Sequence, residues 1–169
     1  MPGFFLKLGT LAGPVDITGV VLPANTLTAA ELQGVFKMSD GWYHALANET
    51  TFGSGTGATA GVASFTPFEV VFPASTETIQ LLVDAASHKV YPTAALIATT
   101  TQGGGQPDWV TAFERFTDCT ITALTSYMDS PRGNIQMRVS FGSVQQGQVP
   151  TAGGVPVVAG WDLKANKKL

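Results

Sequence analysis

The chain has 169 residues, of which 44% are hydrophobic and only 12% charged, with 19 Gly, 10 Pro and a formal net charge of -3 at pH 7. The apolar share is enough for a core and excludes a disordered chain, and the sparse, slightly acidic charge excludes a general phosphate-binding footprint. Charge is about half as frequent as in an average soluble domain, and surfaces so poor in charge tend to associate.

The first nine residues, Met1 to Gly9, carry neither a basic n-region nor a long apolar h-region, so no Sec signal peptide is expected. Within them Phe4, Leu6 and Leu8 alternate with Phe5 and Lys7, which predicts a strand. Val20-Val21-Leu22 stops at Pro23, far short of a membrane span. Val35 and Phe36-Lys37-Met38 form a second short strand run. The stretch from Asp40 to Ala63 reads as one long loop holding the Gly-rich run Phe52 to Gly57, too long to be a simple connector. Phe68, Val70 and Phe72 then alternate with Glu69 and Val71.

One segment has helical period. After Pro73, residues 76–87 place Ile79, Leu82, Val83 and Ala86 on one apolar face, with Ser75 as the expected N-cap and Glu77 near the positive end of the dipole. Beyond it, Cys119, Ile121, Ala123, Thr125 and Tyr127 alternate with Asp118, Thr120, Thr122, Leu124 and Ser126. Asp129 to Asn134 supplies a turn, and Ile135, Met137, Val139 and Phe141 show the clearest period of two in the chain. Gln145 to Gly154 reads as a second loop. Many strands and one helix, with no shift in composition along the chain, predict a single domain over 1–169, closed as a barrel or sandwich.

The residues offer little chemistry. Gly53, Gly55 and Gly57 lack the following helix and the Lys-Ser/Thr that a phosphate loop needs. His44, His88 and the lone Cys119 have no metal-ligand spacing, and Cys119 on an alternating strand reads as a core residue. The 12 carboxylates read as solvated surface acids. Neither a catalytic residue, a cofactor nor a metal is expected, and no nucleic acid or membrane partner. Trp42, Tyr43 and Trp109 lie in or beside loops, either as platforms and interface anchors or folded back onto the core. Lys164, Lys167 and Lys168 form a small basic end, read as a solvated terminus.

Taken in order, the pieces resemble the Hcp (haemolysin-coregulated protein) family of type VI secretion systems. The resemblance rests on Phe5-Leu6-Lys7-Leu8, the Gly-rich loop, Phe65 to Phe72, the Ser75-led helix, Tyr91 to Leu96, the strands Phe113 to Tyr127 and Ile135 to Val144, and the end Gly160-Trp161-Asp162 through Asn166. It covers Phe52 to Asn166 well and is looser before; the family's Gly-Glu-Ser after strand one is replaced by Gly13-Pro14-Val15. The resemblance implies a small closed β-barrel of two antiparallel sheets with one flanking helix. It implies hexameric rings stacked into a tube that a contracting sheath expels, with a sheath, a spike and small effectors in the lumen as partners. The chain would be made in the bacterial cytoplasm, leave through that apparatus and not be an enzyme. Trp42, Tyr43, Phe52, Gly53, Gly55 and Gly57 are the candidate inter-subunit residues, and Gly160, Trp161, Asp162 and Asn166 the family-matching terminal strand. A tail tube of a phage or another contractile injection system, and a secreted β-sandwich that binds glycans through Trp42, Tyr43 and Trp109, are the alternatives.

Overall fold

The computed structural model describes residues 2–48, 52–53, 57–58, 63–128 and 133–169. The strands are β1 (Gly3–Leu8), β2 (Phe36–Lys37), β3 (Leu46–Asn48), β4 (Phe52–Gly53), β5 (Gly57–Ala58), β6 (Ala63–Phe65) and β7 (Phe68–Pro73). After the helix α1 (Thr78–Ala86) come β8 (Val90–Thr100), β9 (Trp109–Tyr127), β10 (Asn134–Ser140), β11 (Ser143–Gln148), β12 (Val157–Asp162) and β13 (Lys167–Lys168). The main sheet runs β13-β12-β11-β9-β8-β1-β2, all antiparallel, with β10 branching from β9 and β7 from β10. Strands from both ends of the chain thus share one sheet.

The expected closed barrel is not what forms. Among the described residues no ladder joins β2 to β7, and the sheet is open. Single bonds strap the gap instead: Ser39 N donates to Val71 O (2.8 Å) and Glu69 N to Tyr43 O (3.2 Å). The chain between them, Ser39-Asp40-Gly41, has turn chemistry and leaves the extended conformation that a ladder requires.

β9 carries the architecture because it changes partners along its length. Its first part pairs with β8 and β11, its last with β10. The bend falls at Asp118, left-handed at φ 51°, beside Pro92, which has no N–H to give the ladder. A bulge at Thr122 follows, since Ile121 faces Val139 but Ala123 faces Arg138. One extra residue exchanges the faces. Ile121 is therefore buried, Leu124 replaces Ala123 on the inner side, and the expected alternation through Thr125 ends early.

Two clusters make the core. The larger holds Phe36, Phe68, Phe72, Leu81, Phe116 and Met137. The other lies on the opposite face of β1, β8 and β9, where Phe5, Ile97 and Phe113 are covered by Ile17, Leu27, Leu32 and Val35. Burial on both faces overrides the simple alternation read for β1: Phe5 is buried and Phe4 is exposed at the rim. β7 and β10 keep their predicted inward sets, Phe68, Val70 and Phe72, and Ile135, Met137 and Val139.

Helix α1 forms where its period places it but turns the other way. Thr78, Leu81 and Asp84 are buried, whereas Ile79, Leu82 and Val83 are 65%, 58% and 53% exposed. Ser75 is not the cap: the N-cap position is Glu77, with no side-chain cap bond, and Thr78 Oγ1 donates to Ser75 O at 2.6 Å. The rotation follows from Asp84. Its carboxylate accepts from Gln80 Nε2 (2.8 Å), Lys89 Nζ (2.8 Å) and the Tyr91 hydroxyl, tying the helix to β8.

Burial alone would raise the Asp84 pKa, but the bonds from Lys89, Tyr91 and Gln80, with the Lys89 charge, hold it below the usual aspartate range. A depressed folded-state pKa contributes stability above the unfolded pKa that is lost as pH falls through the folded one. Acid titration should therefore weaken the protein from the ordinary aspartate range downward, and Asp84→Asn should flatten that arm of the curve. Equal slopes in chemical denaturation at graded pH would refute the assignment.

Candidate interaction surface

The arm between Ser39 and Phe68 holds most of the residues singled out in the sequence. It is more ordered than a plain loop: β3 pairs with β6, and β4 with β5. The second pair joins Phe52 to Ala58 and Gly53 to Gly57, while Gly55 lies outside the described residues. Trp42 is folded inward. Its Nε1 donates to Glu114 Oε2 at 2.8 Å, and its ring meets Phe4 edge-on at 5.8 Å. Tyr43 points out, 62% exposed, with its hydroxyl 3.2 Å from Glu69 Oε2. Trp109 packs against the Phe5–Phe113 cluster, whereas Trp42 packs against the other. The three aromatics therefore do not form one sugar-stacking platform.

His44 sits at the root of the arm. Its Nε2 lies 3.0 Å from Glu114 Oε2, and its ring lies about 6 Å from those of Phe65, Phe116 and Phe141. Neither His44 nor Glu114 stood out in the sequence, where one was a lone histidine and the other a scattered acid. The one available signal is local: Glu114 interrupts Val110 to Phe116, a stretch otherwise rich in apolar residues.

The terminal strand is partly built in. Trp161 packs against the main cluster, and Asp162 Oδ1 accepts from Ala165 N at 2.9 Å. Asn166, left-handed at φ 47°, offers Oδ1 to Ala63 N of the arm at 3.4 Å. Gly160 is tightly enclosed: a Cβ there would lie 3.0 Å from Val144 O and from Leu169 Cδ1, so those neighbours would have to give by a few tenths of an ångström. On its far side β12 is only half covered. β13 pairs with Trp161 and Asp162, leaving Val157–Ala159 without a ladder partner among the described residues. Val155 and Val157 are exposed there, the latter 74%, as is Leu46 on the arm. An open strand edge that carries exposed valines is a ready template for another chain.

Charges are mostly consumed internally. Arg115 clasps Glu31 (Nη2 to Oε2, 2.6 Å), Arg138 holds Glu69 (2.6 Å), and Lys164 meets Asp118 (2.7 Å). Arg138 outweighs burial, with help from Gln136 and Tyr43, and keeps the Glu69 carboxyl below its ordinary range. Cys119 is wholly buried, and desolvation, with the Asp118 charge beside it, pushes its thiol up to about 12, which removes the thiolate a nucleophile needs. Among the described residues no group of His, Cys, Asp and Glu is arranged to hold a metal. A cavity of about 590 Å³ lies over β1, β8, β9 and β11 and is walled by the Glu31–Arg115 pair, Lys7, Thr117 and Ser143. Among the described residues no helix is long and apolar enough to cross a membrane.

A family model, described as type VI secretion system effector, Hcp, matches residues 38–147, from the arm to the end of β11. The chain belongs to the Hcp family. The match starts earlier than the Phe52 onset of the sequence resemblance, taking in the root of the arm, and stops before Gly160–Asn166. No curated protein matches. Solved structures extend the likeness to the whole chain: Hcp1 from Salmonella typhimurium (20% identity, all of both chains covered, TM-score 0.73), and a structure titled only as a type six secretion system protein (20%, all of both chains, 0.78). An Hcp1 variant from E. coli EAEC 042 is also similar (12%, 96% of this chain and 99% of that one, 0.72). At these identities the structures establish the fold, and the family match establishes a β-rich structural protein of the type VI secretion tube.

Proposed function

We propose that this Hcp-family chain acts as one folding unit that closes into hexameric rings, and that the rings stack into the tube expelled by sheath contraction. The observation that carries the reading is the open Val157–Ala159 edge with its exposed valines beside the exposed Leu46 of the arm. A head-to-tail interface of this kind generates a ring when its rotation closes. Low charge supports the same reading, since uncharged surface is buried between subunits at less desolvation cost than charged surface. In this reading Trp42, Tyr43, Phe52, Gly53, Gly55 and Gly57 of the arm contact a neighbouring subunit, and export is through the secretion apparatus. Sheath, spike and small lumen-borne effectors are its partners in this reading.

Native mass spectrometry and negative-stain microscopy of the purified protein should show six-membered rings. Deleting residues 53–61 should leave a folded monomer or a ring that dissociates at concentrations where the parent holds. A protein that stays monomeric at high concentration would defeat the reading, and unchanged rings after the deletion would remove the arm from the interface.

A further inference from the structure

Glu114 is a carboxylate in the middle of β9, only 3% exposed, in register with Leu96 on β8 and Gln146 on β11. Both of its side-chain partners come from one short segment outside the sheet: Trp42 and His44 converge on the same oxygen, Oε2, at 2.8 and 3.0 Å. Oε2 accepts from Trp42 Nε1 and is in hydrogen-bond contact with His44 Nε2. His44 Nδ1 is left buried with no partner, among the rings of Phe65, Phe116 and Phe141. A buried carboxylate and a half-satisfied imidazole are both costly, and well-packed apolar residues are often as stable or more so at such sites. The sheet itself gains nothing from an acid at this place.

The arm does. A cleft of about 360 Å³ lies between His44, Leu46 and Phe65 on one side and Val144, Ala159 and Trp161 on the other. The other ties are Tyr43, bonded to Glu69 through its O (from Glu69 N, 3.2 Å) and its hydroxyl (3.2 Å to Oε2), the bond from Ala63 N to Asn166 Oδ1 (3.4 Å), and the Phe65 ring 6.0 Å from that of Phe141. Phe65 seats the returning strand β6 by packing on the main cluster, while the outgoing segment before β3 is held to the sheet by Trp42 and His44 on Glu114. We propose that Glu114 is a positioning residue for assembly, which fixes the direction in which the 42–65 arm leaves the sheet at the expense of the monomer's own stability. The inference rests on the self-assembly reading above and names the residue that governs the arm in it.

The test compares the full chain with Glu114→Gln, Trp42→Phe and the double variant, at a temperature where circular dichroism shows each folded. Sedimentation velocity should give a half-assembly concentration about tenfold higher in each single variant, and the double variant no worse than the poorer single, because one latch is being removed twice. The indole N–H resonance of Trp42 should move upfield in Glu114→Gln, and amides of 46–48 and 63–65 should exchange faster. Unchanged assembly with unchanged arm exchange in Glu114→Gln overturns the proposal. Should Glu114→Gln fail to fold, Trp42→Phe, which deletes one donor only, decides by the same two measurements. If the parent chain never assembles, the self-assembly reading falls. Arm exchange in the monomer then still decides for or against the latch.

Discussion

Replacing Phe116 by Ala is expected to cost about 3–5 kcal/mol, a large part of the roughly 5–15 kcal/mol that holds a typical domain folded. Phe116 is 1% exposed, and its ring lies 4.6 Å from that of Phe68 and 4.7 Å from that of Phe141, with His44 edge-on at 6.0 Å. Together with Phe141, Phe116 joins the main cluster to the root of the arm. Truncation opens a void that these neighbours fill only in part, because Phe68 is fixed in β7, Phe141 in the tight connection from β10 to β11, and His44 by its bond to Glu114. For a chain of this size the melting temperature should fall by on the order of 10 °C. Urea denaturation gives the free energy directly, and a loss below about 1 kcal/mol would show that the cluster repacks. Val157→Thr is the control: on a surface position the change should stay within about 0.5 kcal/mol for the monomer.

The second large effect is expected at a residue with no side chain. Gly147 on β11 lies opposite Phe113 on β9, and a Cβ at this position would sit 2.2 Å from Phe113 Cζ and 2.4 Å from Cε1. The ring cannot swing away, since Phe113 is wholly buried against Ile97, Val110 and Val149. Gly147→Ala should therefore cost about 1–3 kcal/mol by overpacking, and more if the β11 backbone cannot yield. The cause is checked by a double-mutant cycle: in a Phe113→Ala background the penalty should largely vanish. A cost that persists there would mean that the glycine matters for its backbone and not for the ring.

How much of this was legible in advance differs by element. β7, β10 and the existence of helix α1 follow from periodicity, because alternation and a 3.6-residue repeat are local, and in β7 and β10 the core obeyed them. The helix orientation did not follow. Its apolar face, Ile79, Leu82 and Val83, looks outward because Asp84, a polar residue by pattern, is drawn in by Lys89 and Tyr91. The end of β9 was misread for a different reason: one bulge at Thr122 exchanges the faces, and a bulge has no mark in composition. For the interaction surface, the arm and its Gly-rich tip were legible as a long loop with unusual composition. The partnership of Glu114 with Trp42 and His44 was not, since it spans 72 and 70 residues of sequence.

By itself the sequence determined the class and the family: strands with one helix, a surface short of charge, and an order of elements that resembles the Hcp family. These are properties of neighbours in the chain and of totals, and they survive any packing. The tertiary structure decided that the sheet stays open, that Phe5 is buried on a second face, that the three loop aromatics part company, and that a strand edge rich in valine is left exposed. Period two states that a strand has two faces. Whether the second is covered depends on where distant segments such as 11–35 and the arm come to rest, and only contacts between such segments settle which side chains meet water.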